Sequence, residues 1–251
     1  MSKSIKFPFI IFCVLMILMV SSCKKNKDEA PQPAAFAYSN AKLNQRWMVT
    51  NSNRTNGAPV STLIAIEFVN NAFVLYFPND SIVTGVYATM GSDLIILGSY
   101  GTLKVNTLSD SNFGFELIVN GSKSIFTSAK ATQAIADSDM TNKICKTWKL
   151  VEYTIAGMKE SPQNSEVTFN KFGTYLTKDV EYGIADIASN TWMWSNTDEN
   201  LICYGAWDGG NISSCDGLGQ VSIEISADGK SAIMEEMDED FGSITYKLEL
   251  K

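Results

Sequence analysis

Short stretches of alternating apolar and polar residues cover most of the chain after residue 40, and turn-forming residues separate them. In the last stretch Ile244, Tyr246 and Leu248 alternate with polar residues, a pattern typical of a strand with one face in water. Asn120-Gly121 separates two other apolar stretches and is a strong signal for a tight β-hairpin. The sequence therefore predicts an all-β protein of short antiparallel strands, arranged as up-and-down barrels or as a β-sandwich.

The pattern occurs twice along the chain at a constant offset. Trp47 and Trp148 each lie in an apolar stretch of the same design, and the offset between them also relates Val74 to Tyr175. After those positions the second copy is longer. A repeated pattern at fixed spacing indicates two copies of one module, and we expect two small barrels in tandem. The predicted organisation is a first β domain, a linker and a second β domain, in residues 36–130, 131–138 and 139–251.

Both copies resemble the small lipocalin-like domains of Bacteroidetes-type lipoproteins. The resemblance lies in the first strand, which carries the tryptophan, and in the Phe-x-x-x-Gly-Thr-Tyr run at 169–175, and it is better in the second copy. In that family a glycine usually stands two residues before the tryptophan, where this chain has Gln45 and Lys146. The resemblance implies lipocalin-like up-and-down barrels with a tryptophan at one end, and in some members a small apolar ligand inside. It implies no catalytic residues.

The N-terminal residues have the features of an exported, lipid-anchored protein. Two lysines precede a largely apolar run at 7–20, which suits a signal peptide and is too short to span a membrane. Two serines then precede Cys23, which resembles the lipobox of bacterial lipoproteins. We expect a signal peptide in 1–22 and a disordered tether in 23–35. Lipidated Cys23 would anchor the protein to the outer membrane, on the periplasmic or the cell-surface side.

Composition limits the chemistry. The chain has 20 Lys and Arg against 27 Asp and Glu, and it has no histidine. The second copy is acidic and has no basic patch, which argues against a nucleic-acid partner. We interpret the acidic run at 235–240 as a solvated hairpin end. Without histidine, Ser-His-Asp and Cys-His catalysis and His-ligated metal sites are excluded. We expect no catalytic residues, metal or cofactor, with a carboxylate-based hydrolase as the enzymatic alternative.

Aromatic residues of the second copy are the candidate ligand-binding residues. Trp192 and Trp194 would share one face of a strand, as a platform for a sugar, as the lining of an apolar site or as ordinary core. Trp207 stands in a glycine-rich stretch beside Asp208 and Asn211, which predicts an exposed loop suited to carbohydrate. The alternative is a tryptophan folded back over the mouth of the barrel.

Two cysteines, Cys203 and Cys215, flank the same glycine-rich loop, and we expect a disulfide between them because an exported protein permits one. Cys145 would then be a buried free thiol. The sequence as a whole predicts a membrane-anchored, non-catalytic lipoprotein that binds a small apolar molecule or a glycan at the cell envelope. The alternative is a structural or accessory subunit that docks on a protein partner through the acidic second domain.

Overall fold

The computed structural model describes residues 40–54, 62–78, 81–207, 212 and 214–251. The signal peptide, the tether and Cys23 lie outside the described residues, as do Asp208 and Asn211. Phe36–Lys251 forms one compact unit. None of the helices in the described part of the chain is both long and apolar enough to cross a membrane.

The first half of this unit is a closed barrel of antiparallel strands, in which each strand pairs with the next and the last pairs with the first. A short helix, α1 (Asn40–Leu43), precedes the barrel. The strands are β1 (Arg46–Arg54), β2 (Ala65–Val69), β3 (Ala72–Tyr76), β4 (Ile82–Met90), β5 (Leu94–Leu97), β6 (Gly101–Leu108), β7 (Asn112–Val119) and β8 (Ser122–Lys130).

The second half repeats this architecture after the helix α2 (Asp139–Ile144). Its strands are β9 (Thr147–Ile155), β10 (Met158–Glu160), β11 (Glu166–Phe169), β12 (Thr174–Glu181), β13 (Ile184–Trp194), β14 (Leu201–Ala206), β15 (Gly219–Ile225), β16 (Ser231–Asp238) and β17 (Gly242–Leu250). Pairing of β17 with β9 closes the second barrel, and the short β10 pairs only with the end of β9. The prediction of an all-β protein with two tandem up-and-down barrels is confirmed, and the sandwich is excluded.

Both barrels are closed at one end by the same construction. Trp47 Nε1 donates to the carbonyl of Leu43 at 3.2 Å, and Trp148 Nε1 donates to the carbonyl of Ile144 at 2.9 Å. Both tryptophans are fully buried. A buried indole N–H needs an acceptor, and the end of the short helix before each barrel supplies one. This end is called the floor of the barrel below.

The predicted alignment of the two copies is wrong at one step. The β2–β3 hairpin turns through two residues, whereas the β11–β12 hairpin turns through three. The extra residue shifts the register, so that Tyr175 corresponds to Phe73 rather than to Val74. Because neighbouring side chains on a strand point to opposite faces, Val74 lies on the outside of its barrel while Tyr175 faces inward.

The predicted linker is an ordered part of the second barrel. The backbone N–H groups of Ala134 and Ile135 donate to the carbonyl of Lys171, and the Ile135 side chain is buried in the second core. Ser138 then caps the N-terminus of α2 by accepting from the N–H of Thr141. The segment starts with a hydrogen bond from Ala131 to the carbonyl of Arg46 in the first barrel and contacts the second barrel from Ala134 onward.

The outer faces of β2, β3 and β4 pack against the second barrel. Val74 contributes to an apolar cluster with Leu176, Ile187 and Trp207 from the second barrel, and Thr84 Oγ1 donates to the carbonyl of Ile187 at 2.6 Å. Every residue of β3 is consequently buried, because one face lies inside its own barrel and the other faces the second barrel.

Candidate functional site

The interior of the second barrel contains a cavity of about 260 Å³. This volume lies slightly below the roughly 300–1,000 Å³ of pockets for drug-sized ligands, so it suits a small molecule. Polar residues follow apolar ones along the same strands toward the open end, as Tyr204 follows Ile202 and Glu236 follows Met234. The apolar walls nearer the floor are formed by Leu150, Val167, Phe169, Ile202, Val221, Met234 and Leu248.

A carboxylate and three tyrosines form the polar end of the cavity. The hydroxyls of Tyr204 and Tyr246 each donate to one oxygen of the Glu236 carboxylate, and the Tyr246 bond is 2.5 Å long. The ring of Tyr175 lies 6.0 Å from that of Tyr204, measured between centroids. The strands β12, β14, β16 and β17 bring the four together, because each of these residues points inward on its strand.

The tyrosines of this cluster stay neutral well above physiological pH. Burial, with a smaller effect of the Glu236 charge, raises the pKa of Tyr175 to about 12. Burial and then the hydrogen bond to Glu236 raise the pKa of Tyr204 and of Tyr246 above the ordinary tyrosine value. The cluster therefore presents neutral hydroxyl groups around a carboxylate.

The first barrel has no such polar end. When strand pairing is traced from both floor tryptophans, Leu97 takes the position of Tyr204 and Leu117 takes that of Glu236. Both leucines are fully buried. Other positions also become more polar or smaller in the second barrel. They are Phe73 to Tyr175, Leu75 to Thr177, Phe115 to Met234 and Phe126 to Tyr246.

Glu236 and its tyrosine partners were not among the candidates predicted from the sequence. The acidic run at 235–240 forms the largely exposed end of the β16–β17 hairpin, as predicted, but Glu236 differs from its neighbours because it points into the barrel. The signal that could have identified it is the alternation of Ala232, Met234 and Glu236. A carboxylate at an inward position of a strand is uncommon without a partner or a function.

The predicted pair Trp192 and Trp194 lies at the floor and does not line the cavity. The two rings contact each other edge to face, with centroids 5.5 Å apart. Their indole N–H groups are already satisfied, that of Trp192 by the carbonyl of Asn170 at 3.1 Å and that of Trp194 by Thr141 Oγ1 at 2.9 Å. Both therefore pack in the core of the second barrel.

Trp207 is buried, and the prediction that it stands in an exposed loop is wrong. Only 7% of its surface is exposed, and its ring centroid lies 4.9 Å from that of Tyr76 in the first barrel. The glycine-rich stretch around it predicts exposure, but the packing partner belongs to the other barrel. Trp207 is therefore not available as a platform for a sugar.

A disulfide joins Cys203 to Cys215, whose Cα atoms are 5.6 Å apart, and this is the pairing that the sequence favours. Cys145 is a free thiol that borders a cleft between the barrels. Burial raises the pKa of this thiol to about 12, so little reactive thiolate exists at neutral pH. No cluster of side chains suited to a metal ion is found among the residues that the structure describes.

A second charged cluster lies buried between the barrels. Arg46 Nε donates to Glu67 Oε2 at 2.8 Å, and the Glu67 side chain is fully buried. Tyr76 and, from the second barrel, Thr174 donate to the same carboxylate oxygen at 2.8 Å. Burial is the largest single effect and lowers the pKa of Arg46, but the charge and hydrogen-bond effects of Glu67 and Tyr76 together outweigh it, so the net shift is upward. The cluster therefore links the two barrels, because Thr174 and Asn170 of the second barrel both donate to Glu67 of the first.

Comparison with known proteins adds little. No protein-family model matches the chain, and no curated protein matches it. Among solved structures the chain is similar to a protein of unknown function from the DUF3598 family of Nostoc punctiforme. The two chains are 8% identical, with 84% of this chain and 97% of that chain covered and a TM-score of 0.24. A TM-score this low does not establish a common fold, and the fold above rests on strand pairing.

Proposed function

We propose that the protein binds a small, largely apolar molecule inside its second barrel and acts as a non-catalytic binding protein of the cell envelope. The supporting observation is the cavity, with its apolar walls and a few polar groups at one end. This combination is typical of ligand pockets. Among the residues that the structure describes, the first barrel has the almost fully buried apolar side chains of Phe115, Leu117 and Phe126 at the corresponding positions, so the barrel architecture does not by itself require a polar cavity.

The proposed location rests on the N-terminal sequence. Cys23 follows an apolar run and two serines, as in lipoproteins whose signal peptide is removed and whose new N-terminal cysteine is acylated. The tether in 23–35 would then hold the barrels close to the outer membrane, on its periplasmic or its cell-surface side. Mass spectrometry of the mature N-terminal peptide tests this. We expect an acylated Cys23, and an unmodified Cys23 contradicts the anchor.

Fluorescence titration with the neutral apolar probe N-phenyl-1-naphthylamine tests binding. The protein is the mature chain, residues 23–251, with Cys23→Ser in place of the lipid. We expect saturable fluorescence enhancement. Met234→Phe introduces the larger side chain that the first barrel has at Phe115, and it should weaken probe binding by about tenfold or more because it fills the cavity.

The matched control for this test is Ile233→Phe. Ile233 is the neighbouring residue on β16, but it lies on the outside of the barrel and is 41% exposed. A phenylalanine at this position therefore adds bulk to the protein without entering the cavity. We expect the control to bind the probe like the parent protein. If Met234→Phe also binds like the parent, or if the parent shows no saturable binding, the proposed site is wrong.

A further inference from the structure

The cavity of the second barrel carries negative charge. Glu236 and Asp179 line it together with Glu166, and none of the lining residues is lysine or arginine. Glu166 forms an ion pair with Lys251, with a distance of 2.6 Å between Nζ and Oε1. The charge of the other two carboxylates is not balanced by any side chain that lines the cavity.

The tyrosines solvate the Glu236 carboxylate but do not neutralise it. The hydroxyls of Tyr204 and Tyr246 donate to it, yet both stay uncharged because burial and this same hydrogen bond raise their pKa. A partly buried carboxylate has lost part of its hydration, and an opposite charge nearby compensates for that loss. A cationic group in the cavity would provide this compensation.

Aromatic rings line the cavity from the carboxylate toward the apolar walls. The ring centroids of Tyr175 and Tyr204 are 6.0 Å apart, and the ring of Phe169 lies 4.8 Å from that of Tyr175. An ammonium group is attracted to an aromatic face when it lies within about 6 Å of the ring centroid. A carboxylate beside several aromatic rings is the combination of groups that recognises organic ammonium ions.

The architecture of the barrel does not require these polar groups. At the positions of Glu236, Tyr204 and Tyr246 the first barrel has the apolar residues Leu117, Leu97 and Phe126, all almost fully buried. The two barrels otherwise share their floor and their strand order. Of the two barrels, only the second has this polar end among the described residues. We therefore infer that its polar residues serve ligand binding rather than folding.

We propose that the ligand of the second barrel is an organic cation with a short apolar tail, such as a primary alkylammonium ion. Its charged head would contact Glu236 among the three tyrosines, and its tail would lie against the apolar walls nearer the floor. This inference rests on the proposed function, because it names the chemistry of the molecule that the cavity binds. The same carboxylates would repel a fatty acid or a phosphate-bearing amphiphile of equal length.

Isothermal titration calorimetry of the mature chain with Cys23→Ser tests the inference at pH 7. The probes are octylammonium, octanol and octanoate, which share one tail and differ in the charge of the head. We expect octylammonium to bind about tenfold more tightly than octanol, and octanoate to bind most weakly. Glu236→Gln keeps the shape of the side chain and removes its charge. It should weaken octylammonium binding by about tenfold and weaken octanol binding by a much smaller factor, because octanol has no charge to lose its partner.

The matched control is Glu235→Gln, which removes the same charge one residue earlier on the exposed outside of β16. We expect it to bind all three probes like the parent protein. Equal affinity for octylammonium and octanol in the parent, or equal losses in both variants, overturns the cationic ligand but leaves the proposed function standing. No binding of any probe overturns both. If Glu236→Gln does not fold, the ranking of the three probes by the parent protein still decides.

Discussion

The two barrels are closed by the same floor, yet they differ in what fills their interiors. In the first barrel Phe115 stacks between Phe113 and Phe126, at centroid distances of 4.7 Å and 5.2 Å. In the second barrel the corresponding residues are Ala232, Met234 and Tyr246. The two barrels thus share their floor and strand order although their interior side chains differ. The residue types at the interior positions near the open end can therefore differ between the barrels without changing the strand order.

The barrels also differ where the first strand pairs with the second. In the first barrel the paired residues are Arg46 and Glu67, which form a buried ion pair. At the same place in the second barrel Thr147 pairs with Thr168, and their hydroxyl oxygens are 2.9 Å apart. One position of the module therefore holds a charged contact in one copy and a neutral hydrogen bond in the other.

The largest loss of stability is expected when Leu117 of the first barrel is replaced by glutamate, the residue that the second barrel has at the corresponding position 236. Leu117→Glu puts a carboxylate among buried apolar side chains, where, among the described residues, no opposite charge lines the core and the paired residue Ser124 offers only a hydroxyl. We expect the free energy of unfolding to fall by about 4 kcal/mol, because an unpaired buried charge is among the most destabilising changes known. Urea unfolding followed by tryptophan fluorescence measures the loss.

Two controls sharpen this comparison. Leu117→Met changes shape but not polarity and should cost less than about 1.5 kcal/mol. Glu236→Leu makes the reverse exchange in the second barrel and should also cost less than Leu117→Glu, because Glu236 borders a cavity and is only half-buried. If Leu117→Glu and Glu236→Leu lower the free energy of unfolding equally, the two interiors do not differ in how well they accommodate a carboxylate.

Most of the β-architecture could be predicted from the sequence because its signals are local. Alternation of apolar and polar residues marks a strand, and turn residues such as Asn120-Gly121 mark where it ends. The floor tryptophans were also predictable, since Trp47 and Trp148 recur at a constant offset with the same apolar neighbours. The disulfide between Cys203 and Cys215 was predictable because the two cysteines flank a glycine-rich stretch of sequence.

The candidate site was harder to predict because it depends on register and on distant contacts. A single extra residue in the β11–β12 hairpin decides that Tyr175 faces inward in the place of Phe73. Glu236 lies in an acidic run, and only the register of β16 shows that it points into the barrel while Glu235 points out. The residues next to Trp207 in the sequence predict exposure, but Trp207 is buried because its ring packs against Tyr76 of the other barrel.

The buried contact between the barrels provides the next prediction, with a smaller expected effect. Glu67→Gln keeps the shape of the side chain but leaves Arg46 without its opposite charge, and it places an amide N–H₂ group among the donors Arg46, Tyr76 and Thr174. We expect the free energy of unfolding in urea to fall by about 3 kcal/mol, because removal of one partner of a buried ion pair leaves the other charge uncompensated.

The matched change in the second barrel is Thr168→Val, which removes only a neutral hydrogen bond and should cost about 1 kcal/mol. Equal losses in the two variants would mean that the ion pair contributes no more to the free energy of unfolding than the threonine pair does.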